Sequence, residues 1–288
     1  MRIASNKIQD ILAYFHKELS PRYTRVEIDR FALYCFTDFT HYSQSDILLN
    51  PKKTVNESAL LKFHFAVKDL KRGRPIQHIL GKAWFYGLDF IVSPDVLVPR
   101  PETEELVRLL ISEAPVHNET FSVIDLGTGS GCIAVTLKKF LPRCHVYAVD
   151  ISAAALDIAR KNAEKHDCEI HFIQLDLLDA SQQEKLPSCL FIISNPPYIK
   201  RSEQSALPAN VLEFEPHLAL FVPDERALIF YEAIAAAGKQ KLKPGGKIYA
   251  EINETLGPET CIVFQKAGYN DVRLLQDMSG KDRFVTAS

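Results

Sequence analysis

The sequence predicts an α/β domain built on a mainly parallel sheet and preceded by a small all-helical domain, and three observations carry that prediction. Apolar residues in 1–74 recur at helical spacing, short apolar strands alternate with helical stretches beyond residue 100, and a glycine-rich turn joins the first of those strands to its helix. The intervening segment, 75–99, reads as a strand or hairpin linker. With 288 residues, 47% apolar and 24% charged, the chain is globular in composition and long enough for one large domain and one small one.

In the first domain Ile8, Ile11, Leu12, Phe15 and Leu19 form one helical stripe, stopped at Ser20-Pro21. A second helix is expected to carry Ile28, Phe31, Ala32 and Phe36. Thr54 followed by Glu57 has capping-box spacing ahead of Leu60, Leu61, Phe65 and Leu70, and Gly73 then Pro75 ends that helix. From 75 to 99 the apolar runs are short and break at Gly81, Gly87 and Pro94. Beyond Arg100, strands are predicted at 121–126, 146–149, 170–175 and 190–194, with crossover helices between them. Segments 247–252, 272–275 and 284–286 complete the sheet.

A formal net charge of -2 offers no overall basic surface of the kind a phosphate-neutralising protein carries, which disfavours a nucleic-acid substrate. The start of the chain lacks an apolar signal core, and no uninterrupted apolar run approaches the roughly 20 residues a membrane span needs, so a cytoplasmic protein is expected. The six cysteines are scattered without the paired spacing of a zinc or redox site and read as reduced thiols.

The strand Val123-Ile124-Asp125-Leu126 runs directly into Gly127-Thr128-Gly129-Ser130-Gly131, a turn that lets backbone approach a ligand closely. A dinucleotide loop would carry its third glycine one residue later, where Cys132 stands, so this tighter spacing suits a ligand without phosphates. Asp150 ends the next strand, where an acid accepts from both ribose hydroxyls of a nucleoside. Asp176 follows the third strand beside Leu177 and Leu178, joining an acceptor for an amino group to an apolar floor. Loop, Asp150 and Asp176 at successive strand ends resemble the Rossmann-like class I S-adenosylmethionine-dependent methyltransferases. That resemblance implies S-adenosylmethionine as cofactor, with Asp125 facing its ammonium and no metal required.

The fourth strand ends in Asn195-Pro196-Pro197-Tyr198. The prolines hold Asn195 and Pro196 extended and contribute no backbone donor. A planar NH2 group can donate one hydrogen to the Asn195 side-chain oxygen and the other to the Pro196 carbonyl, turning its nitrogen toward the methyl donor. Tyr198 is placed to stack on the flat acceptor. Asn195, Pro196 and Tyr198 are therefore the expected catalytic residues. This chemistry does not separate an adenine or cytosine amino group from a glutamine carboxamide.

Other segments decide between them. Arg74-Pro75-Ile76-Gln77-His78-Ile79-Leu80-Gly81, Phe85-Tyr86-Gly87-Leu88, Val98-Pro99-Arg100-Pro101-Glu102-Thr103-Glu104, Phe214-Glu215-Pro216 and Asp277-Met278-Ser279-Gly280-Lys281-Asp282-Arg283 together resemble the release factor glutamine methyltransferases of the HemK/PrmC family over nearly the whole chain. The resemblance implies methylation of the glutamine in the Gly-Gly-Gln loop of peptide-chain release factors, with residues 1–74 recognising that partner. It carries cofactor contacts onto Gly127, Thr128, Gly129, Ser130, Gly131, Asp150, Asp176, Leu177 and Asn195, and substrate contacts onto Asn195, Pro196, Pro197 and Tyr198. The family's Glu-x-Gly-x-x-Gln pattern is broken here, where Asn253 and Leu256 replace its glycine and glutamine, and no role is assigned to them. The competing expectation is a nucleic-acid adenine N6-methyltransferase, which would need a basic target-reading region and, on duplexes, base flipping.

Overall fold

The computed structural model describes residues 3–115 and 119–288. The chain divides into two compact units, Met1–Lys82 with Pro208–Phe214, and Ala83–Leu207 with Glu215–Ser288.

The first unit opens with α1 (Ile8–Leu19), α2 (Arg25–Thr40), α3 (Gln44–Leu49), α4 (Glu57–Lys71) and α5 (Ile76–Leu80). The stripe Ile8, Ile11, Phe15 and Leu19 is fully buried, against Ile28, Ala32 and Phe36 of α2 and Phe63, Val67 and Leu70 of α4. Phe63 lies at the centre, with ring centroids of Phe36, Phe39 and Phe15 at 4.5, 5.2 and 6.1 Å. Burying one such side chain contributes about 1.5–3 kcal/mol. Two expectations need correction. Helix α4 is capped by Asn56, whose side chain accepts from Ala59 N, while Thr54 forms an isolated bridge to Lys7. The capping boxes are instead Thr24 with Glu27 and Ser43 with Asp46. Residues 76–80 form the single helical turn α5 and not a strand; five residues cannot display a period.

The second unit begins within β1 (Lys82–Phe85), which makes a two-stranded sheet with β2 (Leu88–Ile91). Tyr86 and Gly87 between them take φ of 51° and 76°, the left-handed pair a two-residue hairpin turn requires. Helix α6 (Pro101–Glu113) then leads into β3 (Phe121–Leu126), α7 (Cys132–Phe140), β4 (Cys144–Asp150), α8 (Ala153–Lys165), β5 (His171–Gln174), α9 (Ala180–Gln183) and β6 (Cys189–Ser194). β7 (Ile199–Lys200) and β8 (Phe221–Val222) form a two-stranded pair; between them in the sequence comes α10 (Ala209–Phe214), which belongs to the first unit. The chain closes with α11 (Ile229–Lys241), β9 (Leu242–Glu251), α12 (Gly257–Lys266), β10 (Val272–Gln276) and β11 (Asp282–Ala287).

Seven strands form one sheet in the order β10-β11-β9-β6-β3-β4-β5, parallel except that β11 runs antiparallel to both neighbours. Alternate residues of each central strand enter opposite cores. Val123, Ala148 and Ile193 join α6 and α7 on one face, while Ile124, Val149 and Ile192 join α11 and α12 on the other. The chain crosses from β3 to β4 on one side and returns to β6 on the other, so the crevice for a ligand opens at the carboxyl ends of these strands. Among the described residues no helix is long and apolar enough to cross a membrane.

Candidate active site

Strand register builds the site. Leu126 pairs with Val149 on one side and with Ser194 on the other, and Ser194 pairs with Ala250. The next residues along each strand, Gly127, Asp150, Asn195 and Glu251, therefore stand side by side at one edge. The Ser194 hydroxyl donates to the Leu126 carbonyl at 2.7 Å and ties two of these ends together.

The glycine turn is held by the strand beside it. Gly127 N and Thr128 N both donate to the Val149 carbonyl at 2.9 Å, and Gly129 N donates to Asp150 Oδ2 at 2.9 Å. Gly131, at φ 78°, lies against α8; a Cβ there would sit 2.9 Å from that of Ala159. Asp150 Oδ1 accepts from Ser152 N at 2.9 Å. Each Asp150 oxygen thus retains a lone pair for a ligand hydroxyl, and burial raises this carboxyl above its ordinary range. Asp125 lies wholly buried beneath the turn, where its Oδ2 accepts from the Thr128 hydroxyl at 2.6 Å, and burial pushes it up to about 7. It does not reach the cavity wall.

That wall encloses about 460 Å3, within the range of small-molecule sites. Of the expected residues, Gly127, Thr128, Gly129, Ser130, Asp150, Asp176, Leu177, Asn195, Pro196 and Pro197 line it. Gly131 and Tyr198 do not. The Asp176 turn is fixed by Gln182 Oε1, which accepts from Asp176 N at 3.0 Å, and by Gln183 Nε2, which donates to the Leu177 carbonyl at 2.8 Å. A half-buried carboxylate with spare acceptors, a close backbone turn, and Ile151, Leu177 and Leu178 as apolar walls suit a nucleoside-bearing ligand.

Beyond the expected residues, the same wall includes Pro94–Leu97, Arg100, Thr103 and Phe230. Thr103 lies in the first turn of α6 and is 3% exposed; its hydroxyl donates to Glu251 Oε2 at 2.6 Å and accepts from Asn195 Nδ2 at 3.0 Å. Tyr198 is held through its hydroxyl, which donates to Glu251 Oε1 at 3.1 Å. Burial raises the Glu251 carboxyl, opposed by the Thr103 and Tyr198 hydroxyls and by Arg283.

The segments around Arg100 and Glu215 meet here. Arg100 Nη2 donates to both Glu215 oxygens at 2.7 and 2.8 Å, and the Glu215 side chain is 1% exposed. This pair fastens the stretch carrying Pro216, Leu218 and Ala219 to the cavity wall. Glu104 Oε1 accepts from Tyr86 N at 2.9 Å and braces the β1–β2 turn. Glu102 is an acid in the first turn of α6. Asn253 holds the Tyr198 carbonyl at 3.3 Å and Glu203 Oε2 at 3.2 Å, so it braces the segment after β6. Near the carboxyl terminus, Asp277 accepts from Ser279 N, Lys281 N and Arg283 Nε, closing the β10–β11 turn.

Asn162 carries no signal in the sequence. Fully buried in α8, it donates to the Ser130 carbonyl at 2.8 Å and the Ile91 carbonyl at 2.9 Å, and accepts from Ile91 N at 2.7 Å. Asn162→Leu leaves those backbone groups unpaired in the interior and is expected to lower unfolding free energy by about 2–4 kcal/mol. Urea denaturation measures this, and an unchanged midpoint would show that Asn162 does not hold the glycine turn.

Residues 102–213 match the family model of the Methyltransferase small domain, and residues 10–81 that of the PrmC N-terminal domain. A release factor glutamine methyltransferase from Bacteroides thetaiotaomicron is 41% identical over 278 residues, covering 96% of this chain and 99% of that one. Its counterpart from Flavobacterium psychrophilum is 38% identical over 283 residues, covering 96% and 98%. Among solved structures, the hMettl16 catalytic domain in complex with a 3′UTR hairpin shares the fold, with a TM-score of 0.56 at 15% identity over 90% of this chain and 91% of that one.

Proposed function

The chain belongs to the release factor glutamine methyltransferase family, and from that premise we propose that it methylates the side-chain amide nitrogen of the glutamine in the Gly-Gly-Gln loop of peptide-chain release factors. The observation that carries this reading is Asn195-Pro196 on the wall of the same cavity as the glycine turn and Asp150. Cofactor contacts are assigned to Gly127, Thr128, Gly129, Ser130, Asp150, Asp176 and Leu177, with Gly131 allowing the turn to pack on α8. Bound S-adenosylmethionine supplies a methyl group already activated on sulfur.

The protein's own residues position the acceptor. The Asn195 side-chain oxygen and the Pro196 carbonyl accept the two hydrogens of a planar carboxamide, which turns its nitrogen toward the methyl. Such positioning supplies up to roughly 7–11 kcal/mol in the best model systems. Pro197 stiffens the segment. Tyr198, tied to Glu251, anchors its far end. Two glycines beside the target glutamine let a peptide loop enter a narrow site. A release-factor substrate implies a cytoplasmic enzyme, and no direct nucleic-acid substrate is proposed. Labelled methyl transfer from S-adenosylmethionine, offered purified release factor and duplex and single-stranded DNA in parallel, tests this; labelled DNA with unlabelled factor would reverse it.

Partner recognition is assigned to the helical unit. Leu61 and Phe65, one turn apart on α4, are 58% and 56% exposed, an apolar pair suited to a protein surface. Replacing both with serine is expected to raise KM for whole release factor about fivefold or more, an affinity loss of about 1 kcal/mol. Affinity for S-adenosylmethionine stays constant. Steady-state kinetics with varied release factor checks this, and an unchanged KM would move recognition elsewhere.

A further inference from the structure

We propose that Glu251 and Thr103 are positioning residues that set which end of the Asn195 amide faces the cavity. This rests on Asn195 being the group that accepts from the substrate carboxamide. An asparagine amide has a donating and an accepting end of nearly equal shape, so packing alone does not distinguish its two orientations. Hydrogen-bond polarity does. Both hydroxyls beside Glu251 donate to its carboxyl oxygens: Thr103 at 2.6 Å to Oε2 and Tyr198 at 3.1 Å to Oε1. The single Thr103 proton is then committed, and its lone pairs face Asn195. Only the NH2 end of Asn195 can meet a lone pair, and it does so at 3.0 Å. The oxygen end is left to accept from the substrate.

The chain of bonds runs through a nearly dry environment, with Thr103 3% and Glu251 2% exposed. There a mispaired donor is costly, so the polarity is strongly enforced. The Tyr231 hydroxyl donates to the Glu251 carbonyl at 3.2 Å and fixes the backbone that carries this carboxylate. The bonds join distant parts of the chain: Asn195 and Thr103 are 92 residues apart, Thr103 and Glu251 148.

Thr103→Val removes the acceptor without changing the shape of the side chain, and Glu251→Gln introduces a donor that can reverse the chain. Each is expected to lower kcat on release factor about 10-fold or more while leaving the Kd for S-adenosylmethionine within about threefold. Thr103→Ser keeps the hydroxyl and should recover most of the native rate. In an Asn195→Ala background, adding Thr103→Val should cost nothing further, because its effect is transmitted through the missing amide. Intact cofactor binding and native circular dichroism show that each variant is folded. Native turnover in both Thr103→Val and Glu251→Gln, alongside a severe Asn195→Ala defect, overturns the positioning role and leaves the reading of Asn195 standing. An equally impaired Thr103→Ser, or a full additional loss in the double variant, overturns it as well. A native rate in Asn195→Ala overturns the reading of Asn195 itself.

Discussion

Asn195→Ala is expected to lower turnover on release factor by about two orders of magnitude or more while changing S-adenosylmethionine affinity by no more than about threefold. The asymmetry follows from where the side chain is held. Its NH2 end is bound to Thr103, and the following residues are prolines that keep the backbone extended. Truncation removes the acceptor for the substrate hydrogen while the glycine turn and Asp150 remain in place. Asn195→Asp is the sharper comparison. A carboxylate still accepts from the substrate, but it also turns an oxygen toward the Thr103 lone pairs and adds charge near Glu251. Measurable activity above that of the Ala variant and below native is expected. Single-turnover kinetics separates the effects, and an affinity loss without a rate loss would assign Asn195 to the cofactor pocket.

Asp150→Ala is expected to weaken S-adenosylmethionine binding by about 10- to 100-fold, the range of a lost hydrogen bond to a charged group. Two contributions combine. The carboxylate offers lone pairs to a ribose diol, and it also fixes the glycine turn through Gly129 N and the start of α8 through Ser152 N. Asp150→Asn keeps an acceptor for one of those amides and should fall between Ala and native. Calorimetric titration measures both, and an unchanged Kd for the Ala variant would remove Asp150 from the cofactor site.

The strand ends carrying these residues were legible because each joins a run of apolar residues to an unmistakable punctuation: glycines after Leu126, an acid after Val149, Asn195 and two prolines after Ser194. Parallel register then brings successive strand ends together without further information. Thr103 was not legible as a cavity residue. It follows Glu102 in an acidic first turn, and only the packing of α6 against the sheet turns its hydroxyl inward. Glu251 ends β9 within a broken family pattern, and its partners come from α6 and the segment after β6. Asn162 looks like an ordinary polar residue inside a helix until β2 and the glycine turn close on it. The short helices α3 and α5 span too few residues for periodicity to show. At α4, Asn56 captured the helix start that Thr54 was expected to cap, since a two-residue shift in the chain's entry decides which side chain reaches the free N–H groups.

The most direct measurement is mass mapping of purified release factor after incubation with the enzyme and methyl-labelled S-adenosylmethionine. One methyl group on the side-chain amide of the Gly-Gly-Gln glutamine, absent when Asn195→Ala replaces the native enzyme, is the expected result. Label on another residue, or none on release factor while a nucleic acid becomes methylated, would contradict the account.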